Sequence, residues 1–171
     1  MNETTSSPPG DLVTVCAAGH GRATWALGSL FEQTASGADT GGAFGLTRVT
    51  QPAGTATPLH VHTREAEAFY LLDGTMTYRA GEQDYQLSPG SFIYLPSGVP
   101  HAFRVTSTGP VQFLAIVAPA GLMGMYDETG RPAEQRRLPE PDAGQMQADI
   151  GRWLEATSRY GIQVLGPPIS A

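Results

Sequence analysis

Lysine is missing from this 171-residue chain altogether, and cysteine occurs once, as Cys16. Ten arginines face sixteen acidic residues, for a formal charge of −6. A reader of the nucleic-acid backbone needs a basic face, so this balance excludes that class of partner. A single cysteine excludes an internal disulfide and suits a reducing compartment. With no basic neighbour to activate it, Cys16 is expected to pack as a small hydrophobe. Long apolar runs are missing too. The longest stretch without a charged residue, 105–126, is interrupted by Ser, Thr, Gly and Pro, and its apolar part falls short of the ~20 residues of a membrane span. The opening MNETTSSPPG has neither a basic nor an apolar leader segment and reads as a disordered polar tail over residues 1–10. The expectation is a cytoplasmic protein without membrane partners.

What is abundant is punctuation. Twenty-one glycines and fourteen prolines are too many for a helical bundle and suit short strands joined by tight turns. Candidate strands are 12–17, 24–33, 43–50, 59–62, 67–72, 75–79, 84–86, 92–94, 102–105 and 111–117, separated by Gly- and Pro-containing turn signals. Asp73-Gly74, between two apolar runs, predicts a hairpin. Without intervening helices, this pattern means an antiparallel sandwich or barrel, here expected over 11–118. Residues 119–171 read as an extension with one or two helices packed on the barrel. Residues 121–127 suit a short helix or turn. Asp142 with Gln145 three positions later makes a capping-box pattern, ahead of an amphipathic helix with Met146, Ile150, Trp153 and Leu154 on one face. Residues 162–169 could add an edge segment.

Three of the four histidines sit in two Gly-framed segments: Gly54-x5-His60-x-His62-x4-Glu67-x6-Gly74 and Gly90-x5-Pro96-x-Gly98-x2-His101. Strand residues two apart share a face, so His60 and His62 can hold one ion. Glu67 opens the next strand, and the Pro96–Gly98 turn delivers His101 beside them. Three imidazoles and a carboxylate suit a borderline divalent metal, Fe, Ni, Co, Mn, Cu or Zn. On an octahedral ion they leave open positions, as catalytic sites do. His20 stands apart and reads as an ordinary surface or core residue.

These segments resemble the two cupin motifs, G-x5-H-x-H-x3–4-E-x6-G and G-x5-P-x-G-x2-H-x3-N, with Val105 standing where the second usually ends in Asn. The resemblance extends to Trp25-Ala26-Leu27-Gly28, to the stretch from Asp39 to Phe44, and to Arg159-Tyr160-Gly161-Ile162 through Pro168, which look like monocupins of the quercetin 2,3-dioxygenase type. It implies an all-β double-stranded β-helix (jelly-roll barrel) and metal ligation by His60, His62, Glu67 and His101. The motif spacing to Gly74 favours Glu67 over Glu65. The implied activity is a metal-dependent dioxygenase that cleaves a flavonol or related enolic aromatic with O2, Glu67 doubling as ligand and general base. Homodimers through edge strands are also implied. Cupins serve many chemistries, so an isomerase, cyclase or decarboxylase, or a non-catalytic binding protein, stays open. Strand parity nominates a substrate pocket of Phe69, Leu71 and Phe103, with Phe44 and Leu46, or else Ala43 and Thr47, facing in across the barrel; parity leaves Phe113 open, and Met123 and Met125 could close the mouth.

Overall fold

Apolar residues alternating with polar ones over a few positions, then a glycine, recur along this chain, and each recurrence becomes a strand. The structure, a computed structural model, describes residues 13–170; the expected tail at 1–10 lies outside them. In order, the described elements are β1 Arg22–Ala26, β2 Ser29–Ala35, β3 Gly45–Gln51, β4 Pro58–His62, β5 Ala66–Asp73, β6 Met76–Ala80, β7 Gln83–Leu87, β8 Phe92–Leu95, β9 His101–Val105, β10 Val111–Ala118, α1 Gly124–Thr129, β11 Arg131–Pro132, α2 Ala143–Thr157 and β12 Ile162–Pro168. The strands form two sheets, ordered β11-β1-β2-β3-β10-β5-β8 and β12-β4-β9-β6-β7. Every pairing is antiparallel. Side chains from both sheets meet in one core: Phe69 and Phe113 on the larger approach Tyr78 and Phe103 on the smaller at ring-centroid distances of 5.4 and 6.1 Å.

Three expectations are corrected. The run 24–33 is not one strand but a hairpin, because Leu27 and Gly28 both take positive φ, 51° and 69°, and reverse the chain in two residues. Leucine is a poor residue for that conformation. It is held there by the buried Asp149 carboxylate, which accepts from the Leu27 N–H at 2.9 Å. Asp73-Gly74 does turn the chain, but β5 and β6 pair in different sheets, so the turn is a crossing rather than a hairpin. Gly74 is needed at that crossing: its φ is 79°, and a Cβ there would lie 3.0 Å from Pro110 O. Residues 13–17 form no strand, since no strand among the described residues pairs with them and Val13 and Val15 are exposed.

The C-terminal segment does more than pack on the barrel. β11 joins the edge of the larger sheet through β1, and β12 joins the smaller through β4, Ile162 standing opposite His62 and Val164 opposite His60. Between them, α2 begins at Asp142, whose side chain accepts from the Gln145 N–H at 2.9 Å. Only half the capping box forms, because the Gln145 amide donates instead to Asp149 at 2.7 Å. Asp149 also pairs with Arg152, whose Nε donates to Thr129 O at 2.8 Å. One buried carboxylate thus ties α2 to the β1–β2 turn. No helix among the described residues is long and apolar enough to cross a membrane.

Candidate metal centre

His60 and His62 project from the same face of β4, and His60 stands directly opposite His101 in the β4–β9 register. The turn that aims His101 is anchored to the same place: Gly98 N–H and Ser97 Oγ both donate to His62 O, at 2.8 and 3.1 Å. All three imidazoles are buried, with ring centroids 4.4 Å (His60–His101), 5.0 Å (His62–His101) and 5.1 Å (His60–His62) apart. One nitrogen from each lies within 4.8 Å of the others. Glu67, the second residue of β5, reaches across from the other sheet and places Oε2 3.5 Å from His101 Nε2. Its approach is therefore through His101 rather than equally to all three rings. Glu65 lies buried in the loop between β4 and β5 near Gly121, and His20 is exposed.

The residues fit a metal ion. His60 Nδ1 lies 2.7 Å from Pro58 O, and His101 Nδ1 2.8 Å from Val99 O. A carbonyl only accepts, so each Nδ1 carries the proton and each Nε2 presents a lone pair, the usual outer support of a ligating histidine. Sequence reading did not see these carbonyls, each two residues upstream of its histidine. His101 Nε2 and His62 Nδ1 are buried without a hydrogen-bond partner. Neutral imidazole donors beside a carboxylate are what a borderline divalent cation requires.

Burial, reinforced by His101, pushes His60 down to about 4, against the opposing contact with Pro58. Burial also lowers His62, opposed by Glu67. For Glu67, burial acts to raise the pKa, but the close approach of His101 and the neighbouring imidazoles outweigh it, and the net direction is down. The folded chain thus resists protonation at His60, whereas the unfolded chain takes that proton near 6.5. Stability of the metal-free protein is then lost as pH falls from about 6.5 to about 4, by about 3 kcal/mol from His60 at the acid end. Calorimetry across that range in the presence of a chelator checks this; a flat profile would contradict it.

The cluster opens into a cavity of about 460 Å³. Phe69, Phe103, Phe113 and Met123 line it, while Phe44, Leu46, Leu71 and Met125 do not. In β3 the inward positions are Gly45, Thr47, Val49 and Gln51, which turns Phe44 and Leu46 outward, Phe44 to 40 % exposure. Leu71 and Met125 are buried in the core away from the cavity. Several lining residues went unrecognised as pocket: Phe31, stacked on Tyr126 at 4.1 Å, together with Tyr78, Gln51 and Ile162. Met146, Ile150, Trp153 and Leu154 line it as well. Their helical spacing is legible, but it shows an apolar face without showing what that face covers. Val105, in the place of the motif's Asn, is buried and donates its N–H to Thr55 O at 2.8 Å.

The barrel brings histidines from two facing strands and a carboxylate from a third to one place, and within it residues 47–117 match the family model of the cupin domain. The fold is the cupin double-stranded β-helix with a C-terminal helix. The chain is similar to quercetin 2,3-dioxygenase of Bacillus subtilis (strain 168), 29 % identical over 144 residues, which cover 84 % of this chain and 42 % of that protein. It is also similar to the oxalate-binding protein of Thermotoga maritima, 29 % identical over 41 % of this chain and 58 % of that one. The chain thus spans about two fifths and under three fifths of these relatives' lengths. Among solved structures, KdgF from Halomonas sp. superposes with a TM-score of 0.56 at 15 % identity, covering 63 % of this chain and 94 % of that one. A predicted oxalate decarboxylase from Thermotoga maritima gives 0.55 at 21 % identity, covering 62 % and 99 %.

Proposed function

We propose that this cupin is a metal-dependent dioxygenase acting on a flavonol or a related enolic aromatic. The observation that carries the reading is the junction of two environments: His60 and His62 of the buried three-histidine cluster, with Glu67 beside them, form one part of a cavity otherwise walled largely by apolar and aromatic side chains. Likeness to the Bacillus quercetin 2,3-dioxygenase along most of this chain supports it. A divalent ion would be held by His60, His62, His101 and Glu67. When bound, it supplies Lewis acidity toward an enol or phenol oxygen and an electron path to O2.

The chain's own residues do the rest. Phe69, Phe103 and Phe113 take up the flat ring system and exclude water, which strengthens every charge interaction inside. Met123 and Met146 adjust to its outline. Glu67, kept ionised by its imidazole neighbours, accepts the enolic proton at a carboxylate oxygen. O2 then adds across the activated heterocycle, which opens with loss of carbon monoxide. None of the described residues lining the cavity is an arginine, which argues against a small dianion such as oxalate as the preferred occupant. For the implied homodimer, Phe92 and Tyr94 on the edge strand β8 offer exposed apolar surface.

Oxygen uptake with quercetin, on protein of measured metal content, tests the reading. Glu67→Gln is expected to lower kcat about 10²–10⁴-fold, the usual worth of a general base. Absence of uptake by fully loaded wild-type protein across a flavonol panel rejects the proposal. Turnover that persists without O2 assigns the site to an isomerase, cyclase or decarboxylase.

A further inference from the structure

Tyr78 lies on β6, fully buried, and lines the cavity. Its ring meets Phe69 edge-on at 5.4 Å and lies 6.0 Å from His101. In the register it stands opposite Phe103, two residues from Ala80, which faces His101. The phenol oxygen has no hydrogen-bond partner among the described residues. Buried hydroxyls in folded proteins are nearly always paired. Were Tyr78 there only to fill the core, phenylalanine would make the same ring contacts without stranding a polar atom. A phenol keeps its proton at neutral pH, so the group is a neutral donor. Glu67 and the histidines are committed to the cluster, which leaves the Tyr78 hydroxyl free to meet a ligand.

We infer that Tyr78 is a substrate-binding residue whose hydroxyl donates to a second oxygen of the bound aromatic, other than the oxygen held at the histidine–glutamate cluster. The inference rests on the aromatic reading above and narrows the substrate class. The favoured molecule carries two nearby oxygens, as an enol–ketone pair or a vicinal diol does. A singly oxygenated ring would leave the hydroxyl unpaired.

Tyr78→Phe removes one atom and no ring contact. Metal-loaded wild type and variant are titrated anaerobically with quercetin, 2,3-dihydroxynaphthalene and 2-naphthol, and the thermal midpoints of the ligand-free proteins are compared. Quercetin and the diol are expected to bind the variant about tenfold more weakly, the worth of one hydrogen bond at the upper end of the neutral range. 2-Naphthol should not discriminate, and the ligand-free midpoint should hold or rise. Unchanged affinity for quercetin and the diol overturns the inference. A lowered ligand-free midpoint does so as well, by showing that the hydroxyl serves the fold, and so does failure of both oxygen-rich probes to bind wild type. The titration needs no turnover, so absent oxygen uptake would reject the dioxygenase reading separately.

Discussion

Replacing His101 by alanine is expected to weaken the binding of an added divalent ion at least about a hundredfold, the loss that removing even an outer partner of a ligand can cause. His101 is the hub of the cluster. It faces His60 across two strands, its Nδ1 is fixed by Val99 O, and its Nε2 is the atom that Glu67 approaches. Without it, two imidazoles remain on one strand and the carboxylate loses its nearest partner. Elemental analysis after dialysis of the loaded variant reads the loss directly. The thermal midpoint gives an independent measure: an ion at a thousand times its Kd stabilises by about 4 kcal/mol, and that increment should vanish in the variant. Metal retained at wild-type stoichiometry would place the ion elsewhere.

Phe113→Ala is expected to cost about 3–5 kcal/mol of stability, which for a chain of this size lowers the thermal midpoint by roughly 10 °C. Phe113 is 2 % exposed in the middle of β10, between β3 and β5. Its ring packs on Phe69 at 4.6 Å and Phe103 at 6.1 Å. Because it also walls the cavity, the space it vacates joins an existing one and cannot close by collapse. Denaturant melts measure the loss; a change below about 1 kcal/mol would show that the two sheets hold together without this layer of rings.

The strand pattern and the histidine spacing were legible in the sequence because both are local. Two residues along a strand return to the same face whatever the strand pairs with, which is why His60 and His62 read together. What escaped was decided by partners. Whether Phe44 or Thr47 faces inward depends on where β3 begins and on how β2 and β10 clamp it, and strand parity alone allowed either. Leu27 sits in a conformation its own chemistry disfavours, because Asp149, distant in sequence, accepts its N–H. Asp73-Gly74 announces a reversal but not the sheet in which the returning strand will pair. Phe31 and Trp153 come to the cavity from opposite ends of the chain, and only tertiary packing brings them to one wall.

The Asp149 tie gives the cavity two authors. His60, His62, Glu67 and His101 belong to the barrel stretch 47–117, whereas Met146, Ile150 and Trp153 arrive from a helix outside it that one carboxylate ties to the β1–β2 turn. One wall of the cavity is therefore encoded apart from the histidine cluster, while Phe69, Phe103 and Phe113 on the other walls share its stretch of polypeptide. Substitutions along α2 would reshape that wall and leave the histidine cluster in place.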